Sequence, residues 1–227
     1  MGMTSAEVVE RHRAAGKEFV AGGVRSFVRE AGEGEAVVCV HGVPSSSFLY
    51  RKVLDELAAA APERIRSLTV LNTVVDVEGF KRPWSMEPFA RRGIGEVYLA
   101  TLTKPAFRRL MALQGIANMA AVPKEEIDAY VDLLKREDRG RHFLRIMRGF
   151  ERTAEKAALY RGALRDVPYP VQIVWGAEDP ALKLAVHGEQ ARRAAGLEEI
   201  HTVPAKHFLQ EDQAPAVAER VAALAQG

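Results

Sequence analysis

Two polar residues near the C-terminus, Asp179 and His207, each follow a segment with strand character and could transfer a proton together. Asp179 comes after the strand-like segment 171–175, in a turn that also contains Gly176 and Pro180. A carboxylate beside an imidazole orients the ring and stabilises its cation, so that the histidine can accept a proton and return it. A structural interpretation is also open, because Asp-Pro is a common turn pair and a loop histidine is often only a polar surface group.

A second candidate site lies much earlier in the chain, where the apolar run 37–40 leads into His41, Gly42, Val43 and Pro44. A run without alternation is typical of a central strand that is covered on both faces. Gly42 and Pro44 then end the strand. Such a turn can direct backbone N–H groups at a developing negative charge, as an oxyanion hole does. A plain junction between a strand and a loop would contain the same residues.

The composition describes a protein with a sizeable core and no strong charge bias. The chain has 227 residues, of which 48% are hydrophobic, and this length suits one large domain or a core with an insertion. Its 32 basic and 30 acidic residues are interspersed, so we expect no nucleic-acid partner. No segment has the apolar length of a membrane span, and residues 1–13 lack the pattern of a signal peptide. We therefore expect a cytoplasmic protein with no membrane attachment.

Neither a metal nor a cofactor is indicated by the residue pattern. Cys39 is the only cysteine, which excludes an internal disulfide, and its apolar neighbours suggest a packing role. No group of His, Cys, Asp and Glu has the spacing of a zinc site, and there is no glycine-rich phosphate loop. We expect no cofactor.

Strands and helices alternate in the two outer parts of the sequence. The pattern predicts strands at 18–20, 24–30, 37–40, 65–71, 171–175 and 198–203, and helices at 6–15, 48–60, 182–195 and 215–225. This alternation favours the α/β class, with a mostly parallel sheet flanked by helices. Ligands bind beyond the carboxyl ends of the strands in such sheets. His41, Gly42, Asp179 and His207 would then share one edge of the sheet.

Residues 79–166 have a different character, because strand signals nearly disappear there. The pattern predicts helices at 86–99, 105–119, 124–135 and 142–161. Pro123, followed by Glu125 and Glu126, is a typical helix start. We interpret 79–166 as a helical insertion into a core formed by 1–78 and 167–227.

Four segments, in this order, resemble an α/β-hydrolase of the haloalkane dehalogenase and epoxide hydrolase branch. They are HGVPSSS at 41–47, PERIRSLTVLN at 62–72, WGAEDP at 175–180 and HFLQED at 207–212. The resemblance implies that 79–166 is a cap over the site and that His207 is the catalytic base. It also implies that Asp179 is the acid partner of His207 and that the backbone at Val43 lies by the oxyanion hole.

One part of the family pattern is missing, namely the nucleophile. The family carries a serine or an aspartate on a sharp turn of the G-x-S-x-G kind between the first two segments. Neither G-x-S-x-G nor G-x-D-x-G occurs in this sequence. The chain instead runs from Leu54 through four alanines, 58–61, into Pro62. We interpret this as a core that lacks two strands, a helix and the nucleophile turn, and we read Ser45–Ser47 as helix caps rather than nucleophiles.

Two functions follow from this combination. The first is a hydrolase of ester, epoxide or haloalkane type that is impaired because its nucleophile is missing. The second is a non-catalytic protein that binds a small apolar molecule in a capped pocket. Proton transfer by Asp179 and His207 without a covalent step is a third, weaker alternative. The resemblance also implies that dehalogenases carry a polar, halide-binding residue where this chain has Val43, whose side chain cannot donate a hydrogen bond.

A truncated sheet has a consequence for assembly. Missing strands leave either a closed gap or unpaired edges, and open edges of buried strands invite pairing with another chain. We therefore predict a homo-oligomer formed by strand sharing. Size-exclusion chromatography with light scattering should detect the oligomer, whereas a stable monomer at all concentrations would contradict the prediction.

Overall fold

The computed structural model describes residues 2–21, 24–32, 67–162, 164–167 and 169–226. The predicted strand at 37–40, the helix at 48–60, the alanine run at 58–61 and the segment that contains His41, Gly42 and Val43 lie outside the described residues.

The strands form two separate sheets. An antiparallel pair consists of β1 (Gly16–Ala21) and β2 (Val24–Arg29), with Gly16 opposite Arg29. A parallel sheet consists of β3 (Leu68–Leu71), β4 (Val171–Gly176) and β5 (His201–Val203), with β4 in the middle. Leu71 pairs with Val174, and Val174 pairs with His201. The parallel sheet with flanking helices confirms the predicted α/β class.

The helices surround this sheet and fill the region between β3 and β4. They are α1 (Ser5–Ala14), α2 (Ile94–Thr101), α3 (Lys104–Leu110), α4 (Lys124–Arg139), α5 (Arg141–Gly149), α6 (Ala154–Gly162), α7 (Glu189–Ala195), α8 (Leu209–Asp212) and α9 (Ala214–Gln226). Single π-helical turns continue α3 (Met111–Gly115) and precede α7 (Leu184–Gly188). In the described ranges, no helix combines the length and the apolar character that crossing a membrane requires.

Two predicted helices are each interrupted. The segment predicted as one helix at 142–161 is split into α5 and α6, because Thr153 starts a new helix by accepting a hydrogen bond from the Lys156 N–H, with O and N 3.1 Å apart. The helix predicted at 86–99 is also broken. Its first part is a short 3₁₀ turn (Glu87–Ala90), and α2 begins only after Gly93, whose φ of +78° a glycine adopts easily.

Strand β4 is buried on both faces. Ile173, Val174 and Trp175 are each at most 1% exposed. Successive side chains of a strand point to opposite faces, and the packing follows this rule. Val174 packs in one apolar cluster with residues of α9 such as Val217, whereas Ile173 and Trp175 pack in another with residues such as Ala191 of α7.

A third apolar cluster lies within the predicted insertion. Residues 79–162 and 164–166 form helices and no strand, and the centre of this cluster contains Ile116 and Ile127. Val8 and Val9 of α1 pack in the same cluster. The first helix of the chain therefore packs against α4, although it belongs to the segment 1–78 that we predicted as part of the core.

We predict that Gly176 at the end of β4 cannot be replaced by alanine. A Cβ atom there would lie 2.4 Å from the carbonyl oxygen of Lys206 and 2.6 Å from that of Ala205, and backbone atoms cannot easily yield. Gly176→Ala should lower the free energy of unfolding by about 3 kcal/mol, near the upper end of typical overpacking costs. Urea denaturation measures this change.

Gly149→Ala provides the matched control. A Cβ at Gly149, the last residue of α5, meets nothing within 4 Å. This change should leave stability unaltered or raise it by up to about 1 kcal/mol, since alanine favours helices. Equal stabilities of the two variants would contradict the prediction.

Candidate functional site

A cavity of about 600 Å³ lies beside β3 and the residues that follow β3 and β4. One side is formed by residues that belong to or follow the strands, and the other by residues of the predicted insertion, from α3 and α5 among other segments. Most of the lining side chains are apolar, including Val75, Phe80, Phe107, Leu110, Met147 and Leu164. Such a site suits a small, mainly apolar molecule.

Asp179 is held rigidly at the end of β4. Its side chain is fully buried, and Oδ1 accepts hydrogen bonds from the backbone N–H groups of Ala181 at 2.8 Å and Leu182 at 2.9 Å. The indole N–H of Trp175 donates to the carbonyl oxygen of Leu182 at 2.9 Å. The residues on both sides of the turn therefore fix the carboxylate in one orientation.

His207 lies beside this carboxylate and lines the cavity. Its Nδ1 is 2.8 Å from Oδ2 of Asp179, and its side chain is 30% exposed. A donor at Nδ1 satisfies the buried carboxylate and leaves Nε2 as the nitrogen that can accept a proton. The structure thus brings together the two residues, 28 positions apart, that the sequence suggested as a pair.

The loop that carries His207 is attached to the end of α3. Three donors of the loop reach carbonyl oxygens of the π-helical turn that continues α3, where helix carbonyls lack partners within the helix. These hydrogen bonds are Lys206 Nζ to Ala112 at 2.6 Å, His207 N to Gln114 at 3.4 Å and Phe208 N to Gly115 at 2.8 Å. The insertion and the histidine loop therefore satisfy each other's polar groups.

Asn72 is a residue whose importance the sequence analysis missed, because we treated it only as the end of a strand. Its Oδ1 accepts a hydrogen bond from the Gly176 N–H at 2.9 Å. Its Nδ2 donates to the carbonyl oxygens of Lys206 and His207, both at 3.1 Å. One buried amide thus joins the ends of β3 and β4 to the histidine loop. Asn72 also has a φ of +29°, which asparagine tolerates better than most residues.

The segment after His207 is also fixed to the insertion. Oδ2 of Asp212 accepts hydrogen bonds from the N–H groups of Ala117 at 3.0 Å and Asn118 at 2.8 Å. Burial raises the pKa of Asp212 above its ordinary value, and these two hydrogen bonds offset only part of that effect. The hydroxyl group of Tyr130 donates to the buried carboxylate of Glu211.

A second histidine, His187, lies within electrostatic range of Asp179. Burial lowers the pKa of His187 below its ordinary value of 6.5, and the charge of Asp179 opposes this shift. The ring of His187 meets that of Phe80 edge-on, with 5.9 Å between the ring centres. These contacts agree with a packing role for His187.

Comparison with solved structures found close structural matches at low sequence identity. An α/β-hydrolase-fold protein from Burkholderia ambifaria matches with a TM-score of 0.68 and 19% identity, over 90% of this chain and 96% of that chain. The protein Cfl2 from Burkholderia cenocepacia matches with a TM-score of 0.65 and 17% identity, over 92% of this chain and 94% of that chain.

This protein has the α/β-hydrolase fold. The fold that the four segments implied is thereby confirmed. A haloalkane dehalogenase from Paraglaciecola agarilytica is also among the matches, with a TM-score of 0.48 and 17% identity over 75% of this chain and 56% of that chain. That score is too low to support an argument, so the fold assignment rests on the two Burkholderia proteins. Scans against protein-family models and against curated proteins found no match.

The catalytic roles of His207 and Asp179 stay predictions, as do the predicted roles of His41, Gly42 and Val43. His41, Gly42 and Val43, the residues of the predicted oxyanion site, lie outside the described residues. Among the residues that are described, no group of three or more His, Cys, Asp or Glu side chains could hold a metal ion.

We predict that the amide of Asn72 stabilises the whole edge of the sheet. Asn72→Ala leaves the Gly176 N–H and two carbonyl groups without this partner, and unsatisfied buried groups cost about 1–3 kcal/mol each. Because relaxation and water recover part of this loss, the free energy of unfolding should fall by about 2–4 kcal/mol. Urea denaturation measures the loss.

Two further variants separate the possible causes. Asn72→Gly removes the same hydrogen bonds but accommodates the positive φ, so it should also be strongly destabilised if the amide matters more than the backbone conformation. Asn118→Ala is the control, since Asn118 is exposed and should change stability by less than about 0.5 kcal/mol. If Asn72→Ala also changed the free energy of unfolding by less than about 0.5 kcal/mol, the proposed role of the amide would be disproved.

Proposed function

We propose that this protein binds a small apolar molecule in the cavity and hydrolyses it slowly, with His207 as the base and Asp179 as its partner. The bond that is cleaved belongs to an ester, an epoxide or a haloalkane. The single observation that carries the proposal is the 2.8 Å contact between Nδ1 of His207 and Oδ2 of Asp179 at the wall of an apolar cavity.

The arrangement suits proton transfer to and from water. For an ester, Nε2 of His207 takes a proton from a water molecule while the water oxygen bonds to the carbonyl carbon. The bond to the leaving alkoxide then breaks, and the imidazolium gives the proton to that oxygen, which yields an acid and an alcohol. Asp179 accepts the Nδ1–H throughout and stabilises the cation that forms.

The reaction should be slow because the sequence has no nucleophile turn. Direct attack by water replaces the covalent step, so the rate acceleration that a covalent intermediate provides is lost. In serine proteases, binding and the oxyanion hole alone retain roughly 10³–10⁴-fold acceleration over water. We propose that the backbone at Val43 supplies such an oxyanion site here.

Residues 79–166 would act as the cap of this site. Their side chains form one wall of the cavity, and the carbonyl end of α3 receives the hydrogen bonds of the histidine loop. A cap that is attached in this way would exclude bulk water from the reacting groups, which strengthens their electrostatic interactions.

A second candidate function is binding without catalysis. The missing nucleophile turn favours it, since an apolar cavity needs no reactive group to hold a ligand. On this alternative, the pair of Asp179 and His207 would serve only to hold the loop.

The two functions differ in what His207→Ala should do. If the protein is a hydrolase, the variant should turn over an activated ester, a terminal epoxide or a primary haloalkane at least about 100-fold more slowly than wild type, because general-base catalysis contributes roughly 10²–10⁴-fold. Initial rates with each of the three substrates measure this. Binding of a non-reactive apolar ligand to the variant should persist.

His142→Ala is the matched control, because His142 is an exposed histidine that does not line the cavity. Its rates should equal those of wild type. Equal rates for His207→Ala and wild type would rule out His207 as the base. Saturable ligand binding with no turnover of any substrate would favour the second candidate function.

A further inference from the structure

The cavity wall contains a charge that the proposed reaction does not use. Arg82 is the one Lys, Arg, Asp or Glu residue among the described residues that line the cavity. Its side chain is only 9% exposed, and its guanidinium lies 6.0 Å from the centre of the Phe150 ring. A cation placed in such surroundings calls for an explanation, because burying a charge is costly unless it is paired.

The partners of Arg82 within the described residues satisfy little of its hydrogen-bonding capacity. Nη2 donates to the carbonyl oxygen of Met147 at 3.0 Å. Nη1 lies 3.9 Å from Oε2 of Glu87, whose side chain is 44% exposed. A guanidinium has five N–H donors, and an ion pair at this distance with a solvated carboxylate contributes little. Arg82 therefore has N–H donors that no described residue engages, and it lines the cavity.

A polar pair of the same cavity wall adds a neutral donor. Ser85, three residues after Arg82, donates its hydroxyl hydrogen to Oε1 of Gln114 at 2.8 Å. Both residues line the cavity. With its oxygen engaged in this way, the side-chain amide of Gln114 still has its NH₂ group available as a donor.

We propose that Arg82 makes this cavity a site for an amphiphilic carboxylate, meaning a small molecule with an apolar body and a carboxylate group. The planar fork of a guanidinium matches a carboxylate with two parallel hydrogen bonds. A single fixed cation balances one negative charge, which favours a carboxylate over a phosphate group. This inference rests on the proposed function, because it names the class of molecule that the apolar cavity holds.

Isothermal titration calorimetry with two matched probes tests the inference. The probes are 4-phenylbutyrate and 4-phenylbutan-1-ol, which share the apolar body and differ in the carboxylate. Wild-type protein should bind the carboxylate about 10- to 100-fold more tightly, as expected for hydrogen bonds to a charged group. Equal affinities for the two probes in wild type would overturn the inference without the need for any variant.

Variants then assign the preference to Arg82. In Arg82→Met, the affinities for the carboxylate and the alcohol should differ by no more than about threefold, because the carboxylate loses its charged partner. The variant should still bind the alcohol, which shows that the cavity is intact. Arg82→Lys should keep part of the preference, since lysine retains the charge but not the fork. An unchanged preference in Arg82→Met would assign the preference elsewhere and overturn the inference.

Arg145→Met is the control for the loss of one positive charge. Arg145 is an exposed residue of α5 and does not line the cavity, so this variant should keep the full preference. The two proposals fail in different ways. If wild-type protein binds neither probe, the proposed apolar site is wrong and the inference falls with it. If it binds both equally, only the role of Arg82 is wrong.

Discussion

The pairing of Asp179 with His207 is supported by a hydrogen-bond network that joins the ends of β3 and β4 to the loop that carries His207. The amide of Asn72 contributes three bonds to this network, and the backbone N–H groups of Ala181 and Leu182 fix the carboxylate of Asp179. Each of these groups is buried or partly buried, so the loss of one hydrogen-bond partner is costly. The same hydrogen bonds therefore hold both the edge of the sheet and the candidate site in place.

The helical insertion takes part in that rigidity. The carbonyl groups at the end of the helix that lines the cavity would lack partners within the helix, and the loop that carries His207 supplies donors for them. Asp212 in turn accepts bonds from the backbone just beyond the same helix. The insertion and the sheet thus share polar groups as well as apolar surface, and the wall of the cavity cannot shift far without exposing unpaired carbonyls.

The chemistry of this protein depends on its site more than on its fold. The α/β-hydrolase fold supports many activities, and structural matches at 17% and 19% identity establish the architecture alone. What distinguishes this chain is the combination of an intact pair of Asp179 and His207, a sequence without the nucleophile turn, and Arg82 in an apolar wall. The slow hydrolysis and the carboxylate site that we propose rest on these features together.

The sequence by itself determined the class of fold and indicated the pair of Asp179 and His207, whose contact the structure shows. The alternation of strands and helices indicated a parallel sheet, and residues directly after parallel strands had to meet at one edge. The breaks inside the helices at 86–99 and 142–161 escaped prediction, since apolar periodicity continues across a short interruption.

Only the tertiary structure decided the partners of Asn72 and Arg82. The hydrogen bonds of Asn72 reach residues 104 to 135 positions away, and the bond of Arg82 reaches across 65 positions. Apolar periodicity in the sequence indicates which face of a helix or strand is buried, but not which distant residue contacts that face. The role of a polar side chain depends on those contacts, and only the folded chain specifies them.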